Sequence, residues 1–210
     1  FNNDFKDSSG NGYHLSVLQA GSSFAPGRNG TNESALYIRT NSFSAGSSKN
    51  SGMIGNQKHT FSVWIKMNRV PSWFSEGAIV NLGTNQPTSM SRLFVDDNVQ
   101  WGRIVGQGGY ADVEALQIGP DLAHRWHQIT FVYTGKISES KIYLNGIALP
   151  AAPWRGGNIA DVLDLKDSKI VVGRPLDGGG PEGAVADAWL DSLRVYDRDL
   201  SSSEVSQLYQ

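Results

Sequence analysis

The chain has 210 residues, of which 39% are hydrophobic and 18% charged, and this ordinary globular composition excludes wholesale disorder. Its formal net charge is −2 and it has no basic cluster, which argues against a nucleic-acid-binding protein. It has no cysteine, which excludes disulfides and thiolate chemistry, and no apolar run is long enough for a membrane span.

Short β-like runs rich in Val, Ile, Tyr, Phe and Trp follow one another along the chain, mostly bounded by Gly, Asn, Asp or Pro. In chain order, they are residues 35–38, 60–67, 77–83, 91–96, 99–105, 125–133, 140–146, 168–174 and 188–196. Asn145-Gly146 predicts a hairpin turn, since both residues accept positive φ, and Asp97-Asn98 predicts another. The Ser/Gly/Asn-rich stretches 39–57 and 176–187 are typical of long loops.

Helical features occur only near the C-terminus. There Ser201 and Glu204 form a capping box, which predicts a short helix ending near Leu208. Many short strands without βαβ alternation predict an all-β fold, a two-sheet antiparallel jelly-roll sandwich. With no repeat and no linker, we expect residues 1–210 to form a single domain. Because the chain begins with Phe1 and not with Met, we expect it to be a piece of a longer parent protein.

One carboxylate lies in an unexpected position. If residues 188–196 alternate regularly, Asp191 shares a face with Leu193 and Val195, and a charge on a core face is costly without a partner. Asp191 could cap backbone N–H groups, pair with Arg28 or Arg39, or bind a cation. The predicted core comprises Phe61, Val63, Ile65, Ile142, Leu144, Ile170, Val172, Leu193 and Val195.

The opening segment FNNDFKDSSGNGYHLSV resembles the start of a laminin-G-like jelly-roll domain of the concanavalin A-like lectin/glucanase superfamily. The runs FSVWIKM, RWHQITFVY, KIYLNGIAL, IVVGR and WLDSLRVYDRDLSSSEVSQLY resemble successive strands of that family, in order. The resemblance implies two stacked sheets, with part of the first strand missing before Phe1. It also implies a secreted or cell-surface protein with a carbohydrate-binding or adhesive role.

The resemblance further implies a structural calcium ion held by Asp191. The partners would be Asp7, carbonyls of the Ser8–Gly12 turn, which includes Gly10, and the carbonyl of Gly30. This donor set suits calcium, which takes several oxygen ligands in flexible geometry.

Catalytic motifs are missing from the sequence. Glycosidases that resemble this fold carry an E-x-D-x-(x)-E strand, whereas residues 161–165 supply two Asp and residues 112–114 one Asp and one Glu. His124 and His127 would fall on opposite faces of a strand and make a poor metal pair. The sequence therefore predicts a protein that is not an enzyme.

The tryptophans divide into two groups. Trp64 and Trp126 match family core positions and predict packing, with Phe61, Phe131 and Tyr133. Trp73, Trp101, Trp154 and Trp189 do not match core positions, and Trp73 and Trp154 lie in predicted loops. Sugar rings stack on aromatic planes, so the predicted ligand contacts are Trp73, Trp101, Trp154, Arg155 and Asn158. These tryptophans could instead cover the ends of the sandwich or contact another domain of the parent protein.

Two functions remain open. The first is a non-catalytic module that binds a polysaccharide or other glycan. The second is an adhesive or scaffolding module that binds protein, including other domains of the parent. A glycoside hydrolase or lyase is the least favoured alternative.

Overall fold

The computed structural model describes residues 1–68, 77–84, 86, 88–96, 103–108, 111–115, 123–155, 161–174, 183–185 and 187–210. Its strands are β1 (Leu15–Gln19), β2 (Ser22–Ala25), β3 (Ala35–Ile38), β4 (Ser44–Asn50), β5 (His59–Met67), β6 (Gly77–Gly83), β7 (Met90–Asp96), β8 (Arg103–Gly108), β9 (Ala111–Ala115), β10 (His127–Tyr133), β11 (Lys141–Leu144), β12 (Ile147–Ala148), β13 (Ala151–Arg155), β14 (Lys169–Gly173), β15 (Gly183–Ala184) and β16 (Ala188–Tyr196). A 3-10 turn spans Ile137–Glu139, and helix α1 spans Ser202–Tyr209.

The strands form two sheets, which confirms the predicted jelly-roll sandwich. The nine-stranded sheet has the order β1-β4-β14-β6-β7-β8-β9-β13, with β15 also pairing with β6. The seven-stranded sheet has the order β12-β11-β10-β5-β16-β3-β2. Pairing between the strands is antiparallel except for the two-residue strand β15, which runs parallel to β6.

Strand β4 lies within residues 39–57, which the sequence predicted to be a loop. Its sequence, SAGSSKN, has little strand propensity, but it is paired on both sides, by β1 and by β14. Small residues suit this position: a Cβ at Gly46 would lie 2.9 Å from Leu18 Cδ1. Tertiary pairing therefore overrides local propensity here.

Strand β16 contains a bulge that changes the predicted phase of Asp191. Asp191 pairs with Trp64 and Arg194 with Ser62, so two residues of β16 face one of β5. Ser192 has a φ of 50° at this point. Asp191 therefore lies on the outer face, and Leu190, predicted to lie outside, is fully buried. The regular alternation assumed from sequence is wrong because of the bulge.

The main core lies between the sheets and includes most of the predicted core residues. Phe61, Val63, Ile65, Ile142, Ile170 and Val172 are buried in it, whereas Leu144, Leu193 and Val195 are partly buried against it. Trp64 is 8% exposed, which confirms its predicted packing although it lies outside this cluster, and Trp126 does not belong to the core. Trp64 faces outward, stacked on Tyr209 with 5.4 Å between ring centroids, and Trp126 is half-buried.

Helix α1 packs on the outer face of the seven-stranded sheet. A second apolar cluster of Val132, Tyr143, Leu200 and Val205 fills this contact. The predicted capping box of Ser201 and Glu204 begins the helix. Asn145 and Gly146 both have positive φ in the turn between β11 and β12, which confirms the predicted hairpin. No helix in the described ranges is long and apolar enough to cross a membrane.

Candidate functional site

A row of paired positions crosses the nine-stranded sheet. Trp154 on β13 pairs with Asp112 on β9, and Asp112 pairs with Gln107 on β8. Gln107 pairs with Arg92 on β7, and Arg92 pairs with Asn81 on β6. Directly paired residues belong to one face of a sheet. Because Leu93 and Val95 lie in the core, this row belongs to the face turned away from it. We call Asn81, Arg92, Gln107, Asp112 and Trp154 the polar row.

The inner end of the polar row is buried although it faces away from the core. Asn81 is 5% exposed and Arg92 2% exposed. The Nδ2 atom of Asn81 donates to the carbonyl oxygen of Gly173 at 2.7 Å, which fixes the orientation of the amide. Its Oδ1 atom has no hydrogen-bond partner among the described residues. A buried acceptor left unsatisfied costs about 1–3 kcal/mol, so this oxygen is suited to receiving a donor from a ligand or from water.

Two of the five predicted ligand residues lie on a strand, and the other three lie outside the described residues. Trp154 and Arg155 lie on β13, not in a loop, so the loop assignment was wrong. Strand β13 lies at the edge of its sheet, so one of its sides has no neighbouring strand. Pro153, which has no backbone N–H, is tolerated in such a strand because that side needs no hydrogen-bond donor. Trp154 belongs to the polar row, whereas Arg155 pairs with Ala111 in the adjacent row, on the opposite face. Trp73, Trp101 and Asn158 lie outside the described residues.

Two carboxylate positions share a face of β9. Asp112 and Glu114 are alternate residues of this strand, so both positions belong to the outward face. Alternate residues of a strand are about 7 Å apart along the backbone. The sequence could not assign a face to this pair, because none of the predicted strands includes residues 111–115.

The carboxylate of Asp191 lies beside the turn that follows β2. The backbone N–H of Arg28 donates to Oδ2 at 3.2 Å, and the Ser192 hydroxyl donates to Oδ1 at 3.2 Å. Of the alternatives left open by the sequence, backbone capping is thus confirmed. The Arg28 guanidinium instead lies over the Trp64 ring, 4.5 Å from its centroid. Asp191 is 8% exposed and forms no ion pair within the described ranges.

The other predicted calcium donors lie in two different turns. Gly30 belongs to the turn beside Asp191, where the N–H of Gly30 donates to the Gly27 carbonyl at 3.0 Å. Asp7 accepts instead from the N–H groups of Ser9 and Tyr13, and hydrogen bonds within this turn, which includes Gly10, lower the pKa of Asp7. In the described part of the chain, no three His, Cys, Asp or Glu side chains are grouped as metal ligands.

The outer face of the seven-stranded sheet carries a stacked row that the sequence did not predict. The rings of Tyr37 and Trp189 are stacked with centroids 4.6 Å apart. Lys66 Nζ lies 4.4 Å from the Trp189 centroid and 5.6 Å from that of Trp126. We call these four residues the indole–lysine row. They come from β3, β16, β5 and the segment before β10, so only the strand order reveals their contact.

The stacked rings leave little aromatic surface for a sugar. Trp189 has Tyr37 against its ring, and Lys66 approaches the same indole. The Tyr37 hydroxyl donates to Asp187 at 2.9 Å, and this bond raises the pKa of Tyr37. Asn68 donates to the other carboxylate oxygen of Asp187 at 3.1 Å. The row therefore ties neighbouring strands together through their outward side chains.

Comparison with known proteins gives a consistent picture of the fold. The family model Laminin_G_3, described as concanavalin A-like lectin/glucanases superfamily, matches residues 40–206. Domain 4 of AbnA, a GH43 extracellular arabinanase from Geobacillus stearothermophilus solved with arabinotriose, is similar with a TM-score of 0.68 and 18% identity, covering 100% of this chain and 94% of that one. No curated protein sequence matches the chain significantly.

Two further structures share the fold. The botulinum neurotoxin serotype D binding domain has a TM-score of 0.65 and 16% identity, and the match covers 97% of this chain but 48% of that chain. A SAP-like pentraxin from Limulus polyphemus has a TM-score of 0.56 and 17% identity, with 78% and 73% covered. At these identities the likeness concerns the fold alone.

Proposed function

The chain belongs to the Laminin_G_3 family of the concanavalin A-like lectin/glucanases superfamily, and from this premise we propose that it is a non-catalytic carbohydrate-binding module. Laminin-G-like domains are commonly extracellular, and we place this one in a secreted or cell-surface protein, beside other domains of a longer parent chain.

The polar row carries this proposal. Its backbone register places Asn, Arg, Gln, Asp and Trp positions in one row, and residues of these types recognise sugar hydroxyls and C–H faces. The unsatisfied Oδ1 of Asn81 suits a hydroxyl donor. The arabinanase domain of the same fold was solved with arabinotriose, which supports a glycan as the class of ligand.

Affinity electrophoresis on neutral polysaccharides tests the proposal, with arabinan, xylan and β-glucan as probes. We expect at least one to retard the protein, and Trp154→Ala to weaken the binding by about tenfold, since aromatic stacking contributes roughly 1–3 kcal/mol. Ile147→Ala, an exposed position on the other sheet, serves as the matched control.

Two results would contradict the proposal. If no glycan binds, the adhesive, protein-binding alternative is favoured. If the protein releases reducing sugar and Asp112→Asn abolishes the release, the carboxylate positions of β9 are catalytic and the module is an enzyme.

The surroundings of Asp191 also fit a hard cation, and we propose calcium there. The carboxylate is nearly buried without an ion pair in the described ranges, and its two long hydrogen bonds leave lone pairs available. Gly27 lets the turn approach the carboxylate closely, since a Cβ there would lie 2.7 Å from Asp191 Oδ2. Carbonyls of the turn around Gly30 would complete the oxygen shell, and the ion would supply the missing positive charge.

A further inference from the structure

We propose that the indole–lysine row is a second ligand site, which binds the carboxylate or sulfate groups of an acidic polysaccharide. This site is distinct from the polar row, because it lies on the outer face of the seven-stranded sheet. The choice of a glycan rests on the proposed function, whereas the choice of an anion rests on the chemistry of the row itself.

The ammonium group of Lys66 is the centre of the site. It is flanked by the Trp189 and Trp126 rings, and it forms no hydrogen bond or ion pair within the described part of the chain. Its three N–H groups therefore have no protein acceptor among the described residues. Asp187 forms no ion pair with Lys66 among the described residues, and its two carboxylate oxygens accept from Tyr37 and Asn68. A half-buried cation without a counter-ion attracts an anion.

The two indoles add further donors and no acceptors. Neither Trp126 Nε1 nor Trp189 Nε1 donates a hydrogen bond to any described residue. Lys66, Trp126 and Trp189 are each half-buried, so part of each side chain reaches solvent. Indole nitrogens can only donate. Three groups that only donate, one of them charged, select a ligand that accepts at several atoms and carries negative charge.

The charged residues close to the row strengthen this preference. Arg39 lies one residue beyond β3 and acts electrostatically on Tyr37, and its side chain is exposed. Arg125 is exposed and precedes Trp126 directly. Because the ring faces are already stacked, a sugar would meet ring edges and N–H groups and would be held by its charge. A polymer with repeated anionic groups fits this better than a neutral sugar.

Two probe polymers of matched backbone test the proposal. Polygalacturonate carries carboxylates, its methyl ester carries none, and dextran sulfate distinguishes a sulfate preference from a carboxylate preference. We expect wild-type protein to be retarded by polygalacturonate or dextran sulfate but not by the methyl ester. Raising salt from about 0.1 M to about 1 M should weaken the binding, since the Debye length falls from about 10 to about 3 Å.

Variants assign the binding to the row. Lys66→Met keeps the aliphatic stem and should weaken acidic-glycan binding by about tenfold, whereas Lys66→Arg should retain it. Lys141→Met, an exposed lysine on β11 of the same sheet, should bind like wild type. In ¹⁵N-correlated NMR spectra, which also verify folding, the Nε1 signals of Trp126 and Trp189 should shift on adding polygalacturonate oligomers.

Unchanged binding in Lys66→Met, equal binding of the charged and esterified polymers, or unmoved Trp126 and Trp189 signals would each overturn the inference. Failure here is separable from failure of the proposed function. Loss of neutral-glycan binding in Trp154→Ala reports only on the polar row, and loss of acidic-glycan binding in Lys66→Met reports only on the indole–lysine row.

Discussion

His59 is a fully buried titratable residue at the start of β5. Its Nδ1 donates to the Gln57 carbonyl at 2.9 Å, so Nε2 is left to accept from the Ser91 hydroxyl at 2.7 Å. Burial lowers the pKa of His59 to about 4. The folded protein therefore holds this imidazole neutral at pH values where the unfolded chain is already protonated.

We predict that the protein becomes less stable as the pH is lowered, because of His59. With a folded pKa of about 4 and an unfolded value of 6.5, the unfolded state binds a proton that the folded state does not. Stability is thus full above pH 6.5 and decreases by about 3 kcal/mol as the pH falls to about 4. Urea unfolding across this range measures the slope. In His59→Gln the slope should be largely removed, and an unchanged slope would contradict the assignment.

Asp191 gives a second prediction at this scale. If calcium binds there, a chelator should lower the melting temperature, and calcium at a hundredfold excess over its Kd should add about 2.7 kcal/mol. Asp191→Ala should abolish both responses, and Asp191→Asn should keep part of them. Asp7→Asn is the informative comparison, because the hydrogen bonds of Asp7 lie within its own turn. A melting curve indifferent to chelator and calcium would leave Asp191 as a backbone cap only.

At the scale of single residues, the sequence identified Asp191 as unusual but could not give its face. Regular alternation placed it with Leu193 and Val195, and the bulge at Ser192 reverses that. A bulge depends on the partner strand, and so it leaves no local signal. The same limit applies to Lys66, which looks like an ordinary strand lysine until β16 and Trp126 are placed on either side.

Among the elements, helix α1 depends on its first turn. The Ser201 hydroxyl accepts from the Glu204 N–H, and the Glu204 carboxylate accepts from the Ser201 N–H at 2.8 Å. Arg198 pairs with Glu204 at 2.7 Å. The pKa of Glu204 is lowered to about 2, first by Arg198 and then by Ser201. This network orders the helix that covers Trp64 through Tyr209.

We predict that Ser201→Ala destabilises the protein by about 1 kcal/mol, because a helix N–H loses its cap. The matched control is Ser203→Ala, at an exposed position in the same turn whose hydroxyl contacts only that of Ser201. Chemical denaturation of both variants gives the comparison. Equal losses in the two variants would show that the cap contributes nothing specific.

Strand prediction succeeded where composition and pairing agree. Strands β3, β6 and β16 have the predicted bounds, and β5 differs by one residue. Strands β1, β2, β4, β9, β13 and β15 were missed, and in β4 and β15 the residues Ser, Gly and Ala carry little strand signal. The polar row depends on β9 and β13, so the sequence could name Trp154 but not the residues beside it.

On the scale of the whole molecule, the two outer sheet faces differ in character. On the outer face of the seven-stranded sheet, α1 covers one part and the indole–lysine row, which offers hydrogen-bond donors, occupies another. The outer face of the nine-stranded sheet carries the polar row, whose residue types include both donors and acceptors. A surface that offers only hydrogen-bond donors favours a negatively charged ligand, whereas a surface with both donors and acceptors favours the hydroxyl groups of a neutral sugar. The two proposed sites therefore discriminate between ligand chemistries without sharing a residue.

The position of β16 has a consequence for biosynthesis. This last strand lies between β3 and β5 in the seven-stranded sheet, so segments that are far apart along the chain must meet. A nascent chain on the ribosome cannot close this sheet until residue 196 has emerged, and until then β3 and β5 present open edges. Any product truncated before β16 would keep those edges exposed, and an exposed strand edge is a template for aggregation.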